Sequence, residues 1–170
     1  MLRLWHPLRD PYHCTFRMLT ILRFYPGHSL SKQRLSLLDL LWLMPFLIED
    51  INMSREEKKE ARRIGFPKKK DSFVYLPSTQ LLYRELQPIQ NVALNSMAFR
   101  NLIDPEKFRT STVELNLETL PQPLLHHVDE RAATQKDQLD FLIGTIGSMP
   151  MDGADSLMRK LHLEHGGKLR

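Results

Sequence analysis

The amino-acid sequence predicts a mainly α-helical protein with a small two-stranded β element. Apolar residues recur at helical spacing through most of the 170 residues. Residues that cap or break helices separate these segments, beginning with the Asp10-Pro11 step. Strict alternation of apolar and polar residues, the pattern of a strand, is clearest at Thr112–Glu118.

The first helix is predicted over Tyr12–Tyr25. Asp10 can accept hydrogen bonds from the free N–H groups of its first turn, and Pro11 has a backbone angle already suited to that turn. The apolar arc of this segment is wide, which favours a central helix. Cys14 lies within it, and we interpret it as a small core residue.

The second helix is predicted over Ser31–Met44, after a turn at Pro26–Ser29. Pro45 should break or kink it, because proline cannot donate to the helical ladder. The segment has almost no polar face, so it is buried inside the domain or against another subunit. Trp42 and Phe46 belong to residue types that are enriched in interface cores, so both interpretations stay open.

A charged helix follows, with a capping box formed by Ser54 and Glu57. Gly65 is expected to end the helix just after Ile64. Beyond it, Phe73–Leu76 is a short strand candidate.

A long helical segment is predicted from Ser78 to Leu102, with a kink or a split at Pro88. Its apolar residues at helical spacing are Leu81, Leu82, Leu86, Ile89, Val92, Ala93 and Met97. Asp104-Pro105 should start a turn, and the strand Thr112–Glu118 follows.

The last third of the chain predicts a helix that ends at Gly147 and a short one around Ala154–Leu163. We therefore expect one mostly helical domain over residues 1–150, then a short helix and flexible tail over 151–170. Several helices with a two-stranded element resemble a winged-helix arrangement.

The cysteine count and the apolar segments of the sequence indicate in which compartment the protein is located. A single cysteine excludes an internal disulfide and fits a reducing compartment. The apolar run Leu40–Ile48 is far shorter than the ~20 residues that span a bilayer, and no secretory signal is visible. These features predict a cytoplasmic protein that does not contact a membrane.

No catalytic, cofactor-binding or metal-binding motif is present. The sequence lacks a phosphate-binding loop and a Gly-x-Ser-x-Gly motif. His162 and His165 do not have the spacing of a zinc site, and the adjacent His126 and His127 point to different faces of a helix. We therefore expect neither an enzyme nor a bound cofactor or metal.

The strongest polar feature is the segment Arg55–Lys70. It contains eight basic and three acidic residues, which gives it a local net charge of +5. Such a surface attracts phosphates. A solvated helix with internal charge pairs is the alternative. The candidate DNA-binding residues are Lys59, Arg62, Arg63, Lys68, Lys69 and Lys70.

Four short motifs in the first fifty residues resemble the middle component of bacterial three-component ABC systems, the Lamassu-type defence operons. They are Pro7-Leu8-Arg9-Asp10-Pro11-Tyr12-His13, Phe16-Arg17-Met18-Leu19, Arg34-Leu35-Ser36-Leu37-Leu38-Asp39 and Leu43-Met44-Pro45. The resemblance implies a small non-catalytic subunit. It would sit on an SMC-like ABC ATPase and help to hold a nuclease-type effector inactive until foreign DNA is sensed.

For such a subunit, we expect an ordered N-terminal motif that forms part of the surface in contact with its partners. Its residues are Asp10, Tyr12, His13 and Arg17, and an internal role, with Asp10 as a cap and Tyr12 packed, is the alternative. A free-standing winged-helix DNA-binding regulator is the alternative function.

Reversing the charge of Arg62, Lys68 and Lys69 to Glu tests the phosphate contact. If the basic segment tracks a DNA backbone, the assembled complex should bind every DNA sequence more weakly. Each lost contact should reduce the slope of log affinity against log salt by about 0.9. The measurement is a DNA titration at several salt concentrations. An unchanged affinity and slope would leave the cluster as a solvated surface.

Overall fold

The computed structural model describes residues 10–68 and 77–164, and these residues are 67% helical, which confirms the mainly α-helical class. The α-helices are α1 Pro11–Phe24, α2 Lys32–Leu43, α3 Arg55–Ile64, α4 Thr79–Phe99, α5 Pro105–Arg109, α6 Gln122–Thr134, α7 Lys136–Phe141 and α8 Leu157–Lys160. The strands are β1 Ser29–Ser31 and β2 Thr112–Glu114. Two 3₁₀ helices, Pro26–His28 and Pro45–Asp50, and a π-helical turn, Leu142–Ile146, complete the described elements.

The predicted caps of α1 and α3 are confirmed. The Asp10 carboxylate accepts a hydrogen bond from Tyr12 N at 2.8 Å. Ser54 and Glu57 form the reciprocal capping box of α3. Gly65 ends that helix with a φ of 84°, in the left-handed region that favours glycine.

The two strands come from distant parts of the chain. Strands β1 and β2 pair antiparallel, with Leu30 opposite Val113. The β1 residues were expected in a turn and as a helix cap, so its strand role was not predicted. No hairpin joins β1 to β2 in the described residues, and the winged-helix arrangement stays a prediction. The strand candidate at 73–76 lies outside the described residues.

Several element boundaries differ from the expectations. Helix α4 continues through Pro88, so the predicted split is wrong. The expected turn at Asp104-Pro105 leads into α5, because Asp104 accepts hydrogen bonds from two backbone N–H groups. The strand predicted to Glu118 ends at Glu114, after which Leu115 makes one isolated bridge to Ile103. The last long helix is divided at Gln135 into α6 and α7.

Helices α1 and α2 form the centre of the molecule. Helix α1 packs on α2, α4 and α6, and α2 packs also on α4 and the π-helical turn. The α2 residues Leu37, Leu38, Leu40 and Leu41 are completely buried. The helix without a polar face is therefore a core helix of the isolated chain.

Hydrogen bonds connect the end of the π-helical turn to the end of α1 and to the first turn of α2. Tyr25 Oη donates to the Gly147 carbonyl at 3.2 Å, and Arg34 Nη1 donates to the same oxygen. A Cβ atom on Gly147 would collide with the Ile143 carbonyl. Glycine is therefore required at position 147, because the backbone of Ile143 approaches it too closely for any side chain.

The C-terminal segment shares the same core. Leu157 and Leu161 are completely buried in it, and Gln80 Nε2 donates to the His162 carbonyl at 2.8 Å. The predicted short helix is present as α8, whereas the predicted tail after residue 164 lies outside the described residues. Over 10–68 and 77–164, no helix combines the length and apolar composition needed to cross a bilayer.

Candidate partner-binding surfaces

The N-terminal motif divides into an exposed part and a buried part. Asp10 caps α1, while Tyr12 is 79% exposed. His13 Nε2 lies 3.9 Å from the Asp10 carboxylate, and its side chain is half exposed. Tyr12 and His13 therefore lie on the surface, whereas Arg17, one turn further along the helix, points into the core.

Arg17 makes a bidentate ion pair with Asp39 inside the protein. Its Nε lies 2.6 Å from Asp39 Oδ1, and its Nη2 lies 3.2 Å from Oδ2. The Arg17 side chain is 9% exposed and the Asp39 side chain is fully buried. Because burying two charges is costly, such a pair needs excellent geometry and further hydrogen bonds.

Gln90 supplies a further hydrogen bond from a third helix. Its Nε2 donates to Asp39 Oδ2 at 2.9 Å and to the Ser36 carbonyl at 3.0 Å. The Cys14 thiol donates to the same carboxylate oxygen at 3.6 Å. We call Cys14, Arg17, Asp39 and Gln90 the core network; it connects α1, α2 and α4. Among the described buried side-chain polar atoms, only Gln90 Oε1 lacks a hydrogen-bond partner.

The surroundings of the core network favour a neutral Cys14 thiol and a charged Arg17 guanidinium. Burial raises the pKa of the Cys14 thiol, and the negative charge of Asp39 raises it further. Burial alone would lower the pKa of Arg17, but the charge of Asp39 and its hydrogen bonds raise it overall. The guanidinium therefore stays charged while the thiol stays neutral.

Trp42 lies in the core and Phe46 at its edge. Trp42 is 9% exposed, and its Nε1 donates to Gln135 Oε1 at 3.1 Å. The Arg131 guanidinium lies 6.0 Å from the centre of the Trp42 ring. Phe46 is half buried against the core cluster. Of the two side chains, only Phe46 leaves surface for another subunit.

Helix α3 presents cations on two adjacent faces. Lys58 and Arg62 share one face, and Lys59 and Arg63 share the next. Arg63 is neutralised by a bidentate pair with Glu60, at 2.6 and 2.9 Å. The candidate DNA-binding residues are thus brought together on one helix and its end, apart from Lys69 and Lys70, which lie outside the described residues.

A groove of about 400 Å³ lies between α3 and the 3₁₀ helix Pro45–Asp50. We call it the basic groove. Its apolar lining residues are Ile48, Met53, Ala61, Phe66 and Pro67. Its charged lining residues are Glu49, Lys58, Arg62 and Lys68. An apolar lining with cations is suited to a ligand that has both apolar and acidic groups.

The outer side of α4 is a second surface, which we call the uncharged face. Its residues Pro88, Val92, Asn95 and Phe99 lie at helical spacing and are all exposed, Val92 at 54% and Phe99 at 89%. No charged residue occurs between Glu85 and Arg100. Depletion of charge around exposed apolar side chains is typical of the core of a protein interface.

The uncharged face was not predicted from the sequence, because Val92 was grouped with the apolar residues expected to face the core. The sequence nevertheless contains a signal for it. In the uncharged run between Glu85 and Arg100, apolar residues occupy more helical positions than one inward face can hold. Phe99 lies seven residues, or about two helical turns, after Val92, so these two residues share a second face.

No metal-binding geometry occurs in the part of the chain that the structure describes, where no three His, Cys, Asp or Glu residues converge. His126 and His127 instead both lie 3.2 Å from the exposed Glu130 carboxylate.

Comparison with known proteins gives one family. The family model described as ABC-three component (ABC-3C) system Middle Component 5 matches residues 3–165. No curated protein and no solved structure matches the chain.

Replacing Asp39 by Asn tests the core network. The variant leaves the Arg17 charge buried without its partner, so the free energy of unfolding should fall by about 3–5 kcal/mol. Chemical denaturation followed by circular dichroism measures it. Glu106→Gln is the matched control, because it neutralises an exposed carboxylate paired with Arg109 and should leave stability unchanged. Equal effects of the two substitutions would contradict a stabilising role for the buried pair.

The single cysteine reports whether the core network opens. Cys14 is completely buried, and exposing it requires separation of α1 from its neighbours, which should cost on the order of 4 kcal/mol or more. Its labelling by a thiol reagent at pH 9 should therefore be about a thousandfold slower in the native protein than in denaturant. An exposed cysteine with a pKa of ~8.5 would be mostly thiolate at that pH and react at once. Fast native labelling would contradict the buried, neutral thiol.

Proposed function

The chain belongs to the family of ABC-three component system middle components, as the motifs of its first fifty residues predict, and we propose that it is a non-catalytic bridging subunit. Its partners in this proposal are an SMC-like ABC ATPase and a nuclease-type effector. The observation that supports the proposal best is a pair of exposed surfaces with different chemistry, the basic groove and the uncharged face.

The two surfaces are carried by helices that pack on different parts of the core. Helix α3 packs on α7, whereas α4 packs on α1, α2 and α5. One surface is cationic and the other has no charge, so a single partner with uniform surface chemistry would not complement both. A subunit that contacts two different proteins is the simplest use of this arrangement.

The uncharged face is suited to a stable contact. Apolar and aromatic side chains that lose water on association contribute most of the binding energy of an interface. Neutral Asn and Gln side chains on the same helix can form hydrogen bonds there without the desolvation cost of a charge. Tyr12 and His13 offer a further exposed contact at the start of α1.

In this proposal, the chemical steps belong to the partners. The ATPase supplies nucleotide hydrolysis, and the effector supplies DNA cleavage. The middle component holds the effector inactive in the cytoplasm until foreign DNA is sensed, as in Lamassu-type defence. The absence of a metal-binding cluster among the described residues is compatible with this division of labour.

Direct DNA contact is a second candidate function, favoured by the exposed cations of α3. The outward Lys59 face, together with Lys68 and the two lysines that follow it, would contact phosphates without reading sequence. The free-standing winged-helix regulator gains no support from the described sheet, since its two strands are not joined as a hairpin.

Substituting Val92 or Phe99 by Glu tests the bridging proposal. Each side chain is largely exposed, so the melting temperature should not change. A charge in the middle of an interface should nevertheless reduce co-purification with the other two components at least about tenfold.

Ala133→Glu is the matched control, because Ala133 is exposed on α6, outside both proposed surfaces. It should leave co-purification intact. Full complex formation by the Val92 and Phe99 variants would argue against the uncharged face as a partner contact.

A further inference from the structure

We infer that the basic groove binds an acidic amphipathic segment of one of the other two components. This inference rests on the proposed function, because it names the chemistry of one of the proposed contacts. It follows from three features of the groove: its excess of cations, its apolar lining and its size.

The cations of the groove have no ion-pair partner among the described residues. Lys58, Arg62 and Lys68 are exposed and make no salt bridge there, whereas the neighbouring Arg63 is neutralised by Glu60. Among residues 10–68 and 77–164, no salt bridge therefore neutralises these three positive charges. The three cations outnumber Glu49, the one acidic residue in the lining, so the groove carries an excess of positive charge that an acidic ligand would complement.

The apolar lining favours a protein segment over nucleic acid. A DNA backbone presents phosphates and sugars, which gain little from contact with Met53 and Phe66. An amphipathic helix instead presents apolar anchors at positions i, i+3 or i+4 and i+7 on one face, which fit a hydrophobic groove. Carboxylates on either side of those anchors would meet the three cations.

The dimensions are consistent with this ligand. The volume of about 400 Å³ lies within the ~300–1,000 Å³ typical of pockets that bury a small ligand. It is suited to the few apolar side chains of one helical face rather than to a whole domain. The acidic segment would therefore dock by its anchors, with its carboxylates at the rim.

Arg62→Glu and Lys59→Glu form a matched pair for the test. Both residues are exposed on α3 and the charge change is identical, but only Arg62 lines the groove. Each variant is titrated against each of the other two components, purified separately, at several salt concentrations. We expect Arg62→Glu to weaken binding to one component about tenfold or more, and Lys59→Glu to weaken it less than about threefold.

The location of the contact is measured by a photo-reactive amino acid at position 62 in the assembled complex. The expected cross-link falls in a segment of the same component that contains Asp or Glu residues next to apolar ones. Reversing one of those carboxylates to Lys should restore binding of the Arg62→Glu variant.

Three results would overturn the inference: a cross-link to DNA, a cross-link to residues 69–76 of this chain, or equal effects of the two α3 substitutions. If the wild-type chain bound neither component, the proposed function itself would fail. If the wild-type chain bound a component and the Arg62→Glu variant bound it equally well, only the groove assignment would fail.

Discussion

An ionised arginine lies in the centre of this protein, and the arrangement of the first two helices and the fourth follows from how its charge is satisfied. Taking Arg17 and Asp39 out of water costs several kcal/mol for each ion, which is recovered only by close, bidentate geometry. Gln90 completes the set from α4. Because each partner comes from a different helix, these contacts join α1, α2 and α4 at one point of the core.

This internal use of polar groups has a consequence for the surface. With α1 and α2 largely buried in the core, the candidate partner surfaces lie on α3, on the outer side of α4 and at the first turn of α1. The basic groove and the uncharged face differ in charge and lie on helices with different packing partners. A middle component of a multi-component system implies protein partners, and these two surfaces are the contacts that we propose for them.

The parts of the fold that could be predicted from the sequence are those fixed by local interactions. The Asp10 cap and the Ser54 capping box involve backbone groups two or three residues away, so a short pattern identifies them. Strand β1 could not be predicted, because three residues are too few to show alternation and their partners in β2 lie far along the chain. The interior position of Arg17 was missed for a similar reason, since its partner is in another helix. The signal was Asp39, a carboxylate in a helix with no polar face, which required a buried cation.

Amide hydrogen exchange tests the central claim, that the chain keeps a rigid core and binds its partners through two separate surfaces. It is measured for the chain alone and for the chain assembled with the other two components. The predicted result is slower exchange within residues 55–68 and 88–99 on assembly, with the α2 amides equally protected in both states. Protection confined to other segments, or a change in α2 itself, would contradict the account.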